Sequence, residues 1–391
     1  MNRSRYRLPI KLNNKLELGY IYQHPEMETD YSSEEKGPLL SICVPTYNRS
    51  KTLKICLASI MEQVMGYEDD VEVIVSDNCS SDDTREVVGW AQDLGPIKYN
   101  RNESNIGAGP NFFLLVNQLA KGEYCWLIGD DDFLRKDSLS RLLRVMKENP
   151  AVEMYYTNAM RLGLSNLEKE MKGVVSSAQF PDDLMTESMD FNDREMRSID
   201  ELIDPKIDKS FLGALMCSIF RRKIWLEYSS KVEVSKNDFR DVKTTYPHAI
   251  ILVMGMKGRR VYRFGNPLIV VGDGLRTWSD EYPMVAHIRL LELLDIYESL
   301  GMDQKQIRKC RGSVLLNTVP QIVFLSIKYD GGCRDLVDYK KSISKYMTYC
   351  EFWLSFVVWP WLTVPWSILT GHRLHTSVLA LWSTIKALSQ N

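Results

Sequence analysis

Four short apolar runs, each delivering hydrogen-bonding side chains at its end, constrain this 391-residue chain more than any other feature. Residues 39–44 (LLSICV) stop at Pro45, residues 71–75 (VEVIV) are β-branched, residues 97–99 (IKY) are a weaker strand, and residues 124–128 (YCWLI) run into Gly129-Asp130-Asp131-Asp132. Helical patterns separate them. Between Lys51 and Met65, Leu53, Leu57, Ile60, Met61 and Val64 fall at helical spacing. Ser80-Ser81-Asp82-Asp83 offers N-caps for a helix through Val87, Val88 and Trp90. Gly109-Pro110 opens a third helix that Gly122 ends. Strand and helix alternating in this way predict an α/β fold on a parallel sheet. Such sheets bind ligands beyond the carboxyl ends of their strands. Those ends carry Pro45-Thr46-Tyr47-Asn48-Arg49, Ser76-Asp77-Asn78, Arg101-Asn102 and the three aspartates, so four strands deliver polar groups to one edge.

Adjacent carboxylates repel and raise one another's pKa unless a cation sits among them. Mg²⁺ and Mn²⁺ prefer oxygen ligands, commonly one or two carboxylates plus substrate phosphates. The triplet therefore suggests a metal bridging to a diphosphate. A solvated acidic turn capping a helix before Leu134 is the plain alternative. Asp77 suits a nucleobase or ribose, or an Asx turn into Asn78. Gly107-Ala108-Gly109-Pro110-Asn111 has the look of a phosphate-cradling loop. It lacks the third glycine of a dinucleotide fingerprint, and no GK[ST] follows, so dehydrogenase and NTPase readings rank low.

Five segments in order, VPTYNR at 44–49, SDNCS at 76–80, NIG at 105–107 with Asn111, AKGEY at 120–124 and GDDD at 129–132, resemble the family 2 glycosyltransferases over residues 39–135. The resemblance implies a GT-A fold, which is Rossmann-like, with a mostly parallel sheet flanked by helices. It also implies a nucleotide-diphospho-sugar donor, Mg²⁺ or Mn²⁺, and sugar transfer to a hydroxyl. Carried over by position, Pro45, Thr46, Tyr47 and Asp77 contact the base and ribose. Asn48, Arg49, Asn105, Gly107 and Asn111 belong to the same nucleotide-sugar site. Asp131 is the chief metal ligand with Asp132 beside it, and Asp130 faces the donor sugar or ribose. Many members carry an acid where this chain has Gly129, which leaves open which acid binds metal and which binds sugar.

Farther on, SIFRRKIW at 218–225, KTTYPH at 243–248 and PLIVVGD at 267–273 resemble a subgroup that adds 3,6-dideoxyhexoses such as abequose in bacterial O-antigen assembly. An inverting transfer needs a base within reach of the acceptor hydroxyl. Pro247 suits the first position of a helix, which puts His248 in the first turn, where the helix N-terminus keeps an imidazole neutral and able to act as a base. A histidine packing on Tyr246 is the equal alternative, and Asp241 is the carboxylate candidate. Arg276, in DGLRTW, is placed to reach the diphosphate, since guanidinium matches phosphate oxygens; a plain surface loop is the alternative.

The net charge of −2 disfavours a general nucleic-acid binder, and a mean hydropathy of −0.24 argues against a polytopic membrane protein. The eight cysteines form no CxxC pair, and several, such as Cys43 and Cys125, sit inside apolar runs. They read as reduced structural thiols of a cytoplasmic setting. The basic N-terminus lacks the apolar core of a secretory signal. The average hides an asymmetry. No acid follows Glu351, five of the nine tryptophans lie beyond it, and residues 352–369 carry no charge. That stretch would span about 27 Å as a helix, against a hydrocarbon core of about 30 Å. Pro360 and Pro365 favour a segment lying in the interface of an anionic membrane rather than crossing it; a buried hairpin is the alternative. The expected layout is an extension at 1–38, a GT-A domain at 39–280, a helical region at 281–350 and a membrane-associating tail at 351–391. The expected activity is transfer from a nucleotide-diphospho-sugar to a polyprenyl-diphosphate-linked saccharide at the cytoplasmic face of the bacterial inner membrane. Two alternatives stand beside it. A sugar nucleotidyltransferase is disfavoured because residues 46–50 lack glycine, and a decayed membrane-bound scaffold is disfavoured by the intact acids.

Overall fold

The structure, a computed structural model, describes residues 37–163, 180, 184–236, 239–273, 284–328 and 339–355. Arg276 and almost all of the apolar stretch at 352–369 lie outside them. Strands β1 (Leu40–Thr46), β2 (Val71–Asp77), β3 (Ile97–Arg101) and β4 (Tyr124–Leu127) stand where the apolar runs predict, in the parallel order β3-β2-β1-β4. β1 and β2 are buried almost throughout, as strands covered on both faces must be. The helices between them are α1 (Ser50–Val64), α2 (Thr84–Gln92) and α3 (Ala108–Leu114). Leu53, Leu57, Ile60, Met61 and Val64 form the buried face of α1. α3 runs into a π-helical turn at Leu115–Leu119 and ends at Ala120. Gly122 therefore ends no helix; its N–H instead donates to Ser41 Oγ at 2.8 Å and to Glu72.

The second half of the sheet is mixed, so the sheet as a whole is not the mostly parallel one expected. β5 (Asp132–Leu134) starts at the last aspartate, so the acids lead into a strand rather than heading a helix. Helix α4 (Ser138–Glu148) follows, then β6 (Met154–Gly163), β7 (Arg194–Met196), β8 (Ser218–Arg221) and the long β9 (Val261–Asp273). The order continues β4-β8-β6-β9-β5. β8 is antiparallel to both neighbours, β6 and β9 are parallel, and β5 and β7 are antiparallel to β9. The fold is α/β as expected, on a nine-stranded mixed sheet.

Helix α5 (Arg222–Ser229) follows β8, and the four-residue α6 (Val242–Thr245) precedes α7 (Pro247–Met256). α7 is apolar all round and buried at nine of its ten positions, which a helix of that composition requires. Helices α8 (Leu290–Ser299), α9 (Gln304–Lys328) and α10 (Tyr339–Tyr346) lie in the described part of the C-terminal region, after a π-helical turn at Val285–Arg289. Among the described residues no helix is long and apolar enough to cross a membrane. The seven described cysteines are free thiols, five of them buried.

Candidate active site

The loops after β1, β2, β3 and β4 meet at the carboxyl edge of the parallel strands. Thr46 Oγ1, at the end of β1, donates to Asp130 Oδ2 at 2.8 Å. Three residues on, one nitrogen of Arg49, Nη1, lies 3.1 Å from Asp130 Oδ1 and 2.9 Å from Asp131 Oδ2. The turn that aims Arg49 passes through Asn48 in the left-handed region (φ 52°), a conformation that asparagine tolerates. Asn48 is pinned from both sides: its N–H donates to Ser80 Oγ, and its Oδ1 accepts from the Ser81 N–H at 2.7 Å. Asp82 ties the same two loops together, accepting from the Ser50 N–H at 2.8 Å and from Thr84 Oγ1.

Gly129 explains itself here. A Cβ at that position would stand 2.7 Å from Asp132 Oδ2 and 2.9 Å from Asp131 Oδ1. A side chain there would require the Asp131 and Asp132 carboxylates to shift from the positions they hold here. Asp132 accepts from the Gly129 N–H at 3.0 Å, while its Oδ1 is buried with no hydrogen-bond partner among the described residues. Burial, outweighing the pull of Arg49 and abetted by Asp131, pushes Asp130 up to about 6. Burial and the charge of Asp131 push Asp132 up as well. Burial disfavours the charge on Arg49, but Asp130 and Asp131 outweigh that and hold it protonated.

The other expected donor-binding residues behave differently. Asp77 is fully buried; it accepts from the Ser80 N–H at 2.8 Å and from Tyr99 Oη at 2.8 Å, with Arg101 Nε at 3.3 Å. Asn78, Asn102, Asn105 and Asn111 form an amide belt. Asn78 Nδ2 donates to Asn105 Oδ1, and Asn102 Nδ2 donates to Asn78 Oδ1 and to Asn111 Oδ1; Asn111 also exchanges hydrogen bonds with Ser76. Gly107 (φ 95°) packs against Lys236, whose Cα would stand 3.0 Å from a Cβ there. Asn105, Gly107 and Asn111 thus hold the loops. Pro45 is half-buried and Tyr47 is 42% exposed at the same edge. The sequence places Asn78, Arg101 and Asn102 at this edge without assigning their partners, and Tyr99 is the one it does not single out as a site-edge group. The signal for the belt was the asparagine-rich run Asn100-Arg101-Asn102-Glu103-Ser104-Asn105 at the end of β3.

His248 does occupy the first turn of α7, behind Pro247. Its ring, however, is 6% exposed and packs edge-on to Tyr246 at 6.2 Å. Nε2 lies 3.2 Å from the Gly213 carbonyl, which can only accept, so Nε2 carries the proton. Burial lowers its pKa to about 4. The imidazole is neutral, as expected, but burial is the cause and a backbone carbonyl is its partner, the packing role left open from the sequence. Asp241 is exposed. It caps α6 through a capping box, accepting from the Lys243 and Thr244 N–H groups at 2.9 Å.

The acids suit a divalent cation in their chemistry: hard oxygens, one of them buried and unpartnered, short of counter-charge. Among the described residues no three His, Cys, Asp or Glu side chains converge into a complete metal cage. An ion held here would draw the rest of its coordination from elsewhere, as Mg²⁺ draws on substrate phosphates.

The model of Glycosyl transferase family 2 matches residues 41–213, which span the whole edge described above. Over 236 residues the chain is 31% identical to the abequosyltransferase RfbV of Salmonella typhimurium, covering 59% of this chain and 66% of that one. Over 139 residues it is 40% identical to the GalNAc(5)-diNAcBac-PP-undecaprenol beta-1,3-glucosyltransferase of Campylobacter jejuni, covering 35% and 43%. The chain thus spans less than two thirds of either relative's length. Among solved structures it is similar to Staphylococcus aureus TarS 1–349 in complex with UDP-GlcNAc, with a TM-score of 0.45 at 15% identity over 79% of this chain and 91% of that one. Residues 41–213 thus resemble glycosyl transferase family 2, and the curated relatives that the chain matches here are glycosyltransferases.

Proposed function

We propose that this chain is a metal-dependent glycosyltransferase of GT-A architecture. It moves a sugar from a nucleotide-diphospho-sugar to a hydroxyl of a polyprenyl-diphosphate-linked saccharide during surface polysaccharide assembly. One observation carries the reading: in a family 2 domain, Thr46, Arg49, Asp130 and Asp131 converge within hydrogen-bond distance at the carboxyl edge of four parallel strands. The name of one relative, which acts on a PP-undecaprenol saccharide, supports a lipid-linked acceptor, and that of another, an abequosyltransferase, supports sugar transfer. The uncharged, tryptophan-rich tail supports attachment at the cytoplasmic face of the inner membrane. The catalytic domain is residues 39–280, with helices at 281–350 and the tail at 351–391.

In this reading Asp131 and Asp132 hold Mg²⁺ or Mn²⁺, which when bound neutralises the departing nucleoside diphosphate. Asp130, anchored by Thr46, faces the donor sugar or ribose. Tyr47 and Pro45 offer an exposed surface to the base, and Asp77 keeps the loop that receives it. Arg276 reaches for the diphosphate. Asp241 is the stronger candidate for the base. Its carboxylate is exposed, and it lies five residues beyond Lys236, which packs against the nucleotide-side Gly107. His248, enclosed by Tyr246 and the Gly213 carbonyl, keeps α7 in place. Asp241→Asn is expected to cut turnover at least a hundredfold with nucleotide affinity unchanged. His248→Gln is expected to keep most of the turnover, and the reverse order of effects gives the base role to His248.

A thermal-shift panel of CDP, UDP, GDP and dTDP compounds, with and without Mn²⁺, tests the reading. One nucleotide is expected to raise the melting temperature, and further so with Mn²⁺, because ligands of the native state stabilise it by mass action. A panel without any shift overturns it.

A further inference from the structure

The acid cluster contains its own cation. Nη1 of Arg49 bridges Asp130 Oδ1 at 3.1 Å and Asp131 Oδ2 at 2.9 Å, with the Arg49 side chain only one-fifth exposed. A divalent ion ligated by Asp131 needs oxygens at about 2.0–2.2 Å and repels a guanidinium at hydrogen-bond distance from the same oxygens. The two cations therefore compete for one carboxylate. The loop beneath Arg49 is pinned by Asn48, Ser80, Ser81 and Asp82, so yielding means swinging the side chain rather than moving the backbone. Guanidinium has one further partner of matching geometry, a phosphate, which it engages through two parallel hydrogen bonds. A diphosphate offers both cations anionic oxygens: ligands for the ion and a bidentate site for Arg49.

Resting on the donor-site reading above, we propose that Arg49 is a resident counter-cation. It occupies the acid pair when no divalent ion is bound and passes to the diphosphate when ion and nucleotide enter together. The consequence is a positive coupling between the two ligands that runs through one side chain. Linkage makes that coupling reciprocal. Without Arg49 the ion meets an unguarded acid pair and binds well alone. Lysine is only a partial equivalent, because an ammonium can bridge two acids as the single Nη1 does here but lacks the fork that matches a diphosphate.

The test is Mn²⁺ binding to the full chain by calorimetry and by the electron paramagnetic resonance of free Mn²⁺. It is run alone and with the nucleoside diphosphate that stabilises most in the panel above. In the wild type, each ligand is expected to tighten the other at least tenfold. Arg49→Gln is expected to bind Mn²⁺ alone at least tenfold more tightly than the wild type, with the coupling reduced to about threefold or less. Arg49→Lys is expected to lie between them. Mn²⁺ affinity of Arg49→Gln equal to or weaker than the wild type, with nucleotide binding intact, overturns the inference and leaves the glycosyltransferase reading standing. Absence of nucleotide binding in the wild type overturns both. If Arg49→Gln fails to fold by circular dichroism, Arg49→Lys and the wild-type coupling carry the test, and independent binding of ion and nucleotide to the wild type overturns the inference.

Discussion

Glu72 and Asp130 are both buried carboxylates of the parallel half of the sheet, at its opposite ends, and the fold treats them in opposite ways. Glu72, near the start of β2, accepts from Ser41 Oγ, from the Lys121 N–H at 2.6 Å, from the Gly122 N–H at 3.0 Å and from Lys98 Nζ at 2.6 Å. Burial alone would push it up, but Lys98, Ser41 and the Lys121 amide hold its pKa below the usual range. Asp130 receives one hydroxyl and a share of one guanidinium, and burial with Asp131 beside it pushes it up to about 6. Two backbone amides make Glu72 a structural anchor between β1, β2 and β4. At the carboxyl edge such donors are scarce, and the carboxylates there keep their appetite for a cation. A satisfied buried acid at one end of the parallel strands and an unsatisfied one at the other separate fold from function.

The largest expected effect falls on the unsatisfied end. Asp131→Asn should lower sugar transfer by about a thousandfold or more, the scale at which loss of charge stabilisation at a leaving group is felt. Its melting temperature in EDTA should stay within about 2 °C of the wild type, because removing one of three crowded acids relieves repulsion. Turnover near the wild-type level would break the comparison at its functional side.

Next comes the satisfied end. Glu72→Gln keeps the shape but puts an amide where four donors converge, so urea unfolding at pH 7 should show a loss of about 2–3 kcal/mol. Activity per folded molecule should be unchanged. The pH dependence gives the sign. A carboxylate whose folded pKa lies below its usual 4.5 stabilises above that pH and loses the contribution as pH falls through it. The gap between wild type and Glu72→Gln should therefore be full at pH 7 and close below about pH 4.5. Asp130, raised from 3.8 to about 6, answers with the opposite sign. In EDTA the wild type should lose stability relative to Asp130→Asn as pH rises from 4 through 6. Unfolding series in which both variants move the same way would erase the distinction.

Legibility follows the same division. The four parallel strands and α1 were readable because period and β-branching act locally, and Gly129-Asp130-Asp131-Asp132 was readable because chemistry concentrates in adjacent residues. β5 was not, since its pairing with β9 joins residues more than 130 positions apart and three residues carry no period. The amide belt was hidden too, because an asparagine at a strand end reads the same whether it holds a loop or a ligand. His248 shows the limit most clearly. Its place behind Pro247 and the option of packing on Tyr246 were evident, but its burial against the Gly213 carbonyl joins residues 35 positions apart, which no spacing announces.

The smallest effect is the most discriminating. Thr46→Val is nearly isosteric and removes the only hydroxyl that donates to Asp130 among the described residues. If Asp130 were an anchor like Glu72, losing a donor would cost 2 kcal/mol or more. If it is instead held ready for a cation, Arg49 remains at 3.1 Å and the loss should be about 1 kcal/mol or less by urea unfolding in EDTA. Mn²⁺ with the stabilising nucleotide should then recover most of that loss, since a bound ion supplies the charge the hydroxyl only partly offsets. A cost equal to that of Glu72→Gln, not recovered by ligand, would place Asp130 with the scaffold and leave Asp131 alone to answer the metal.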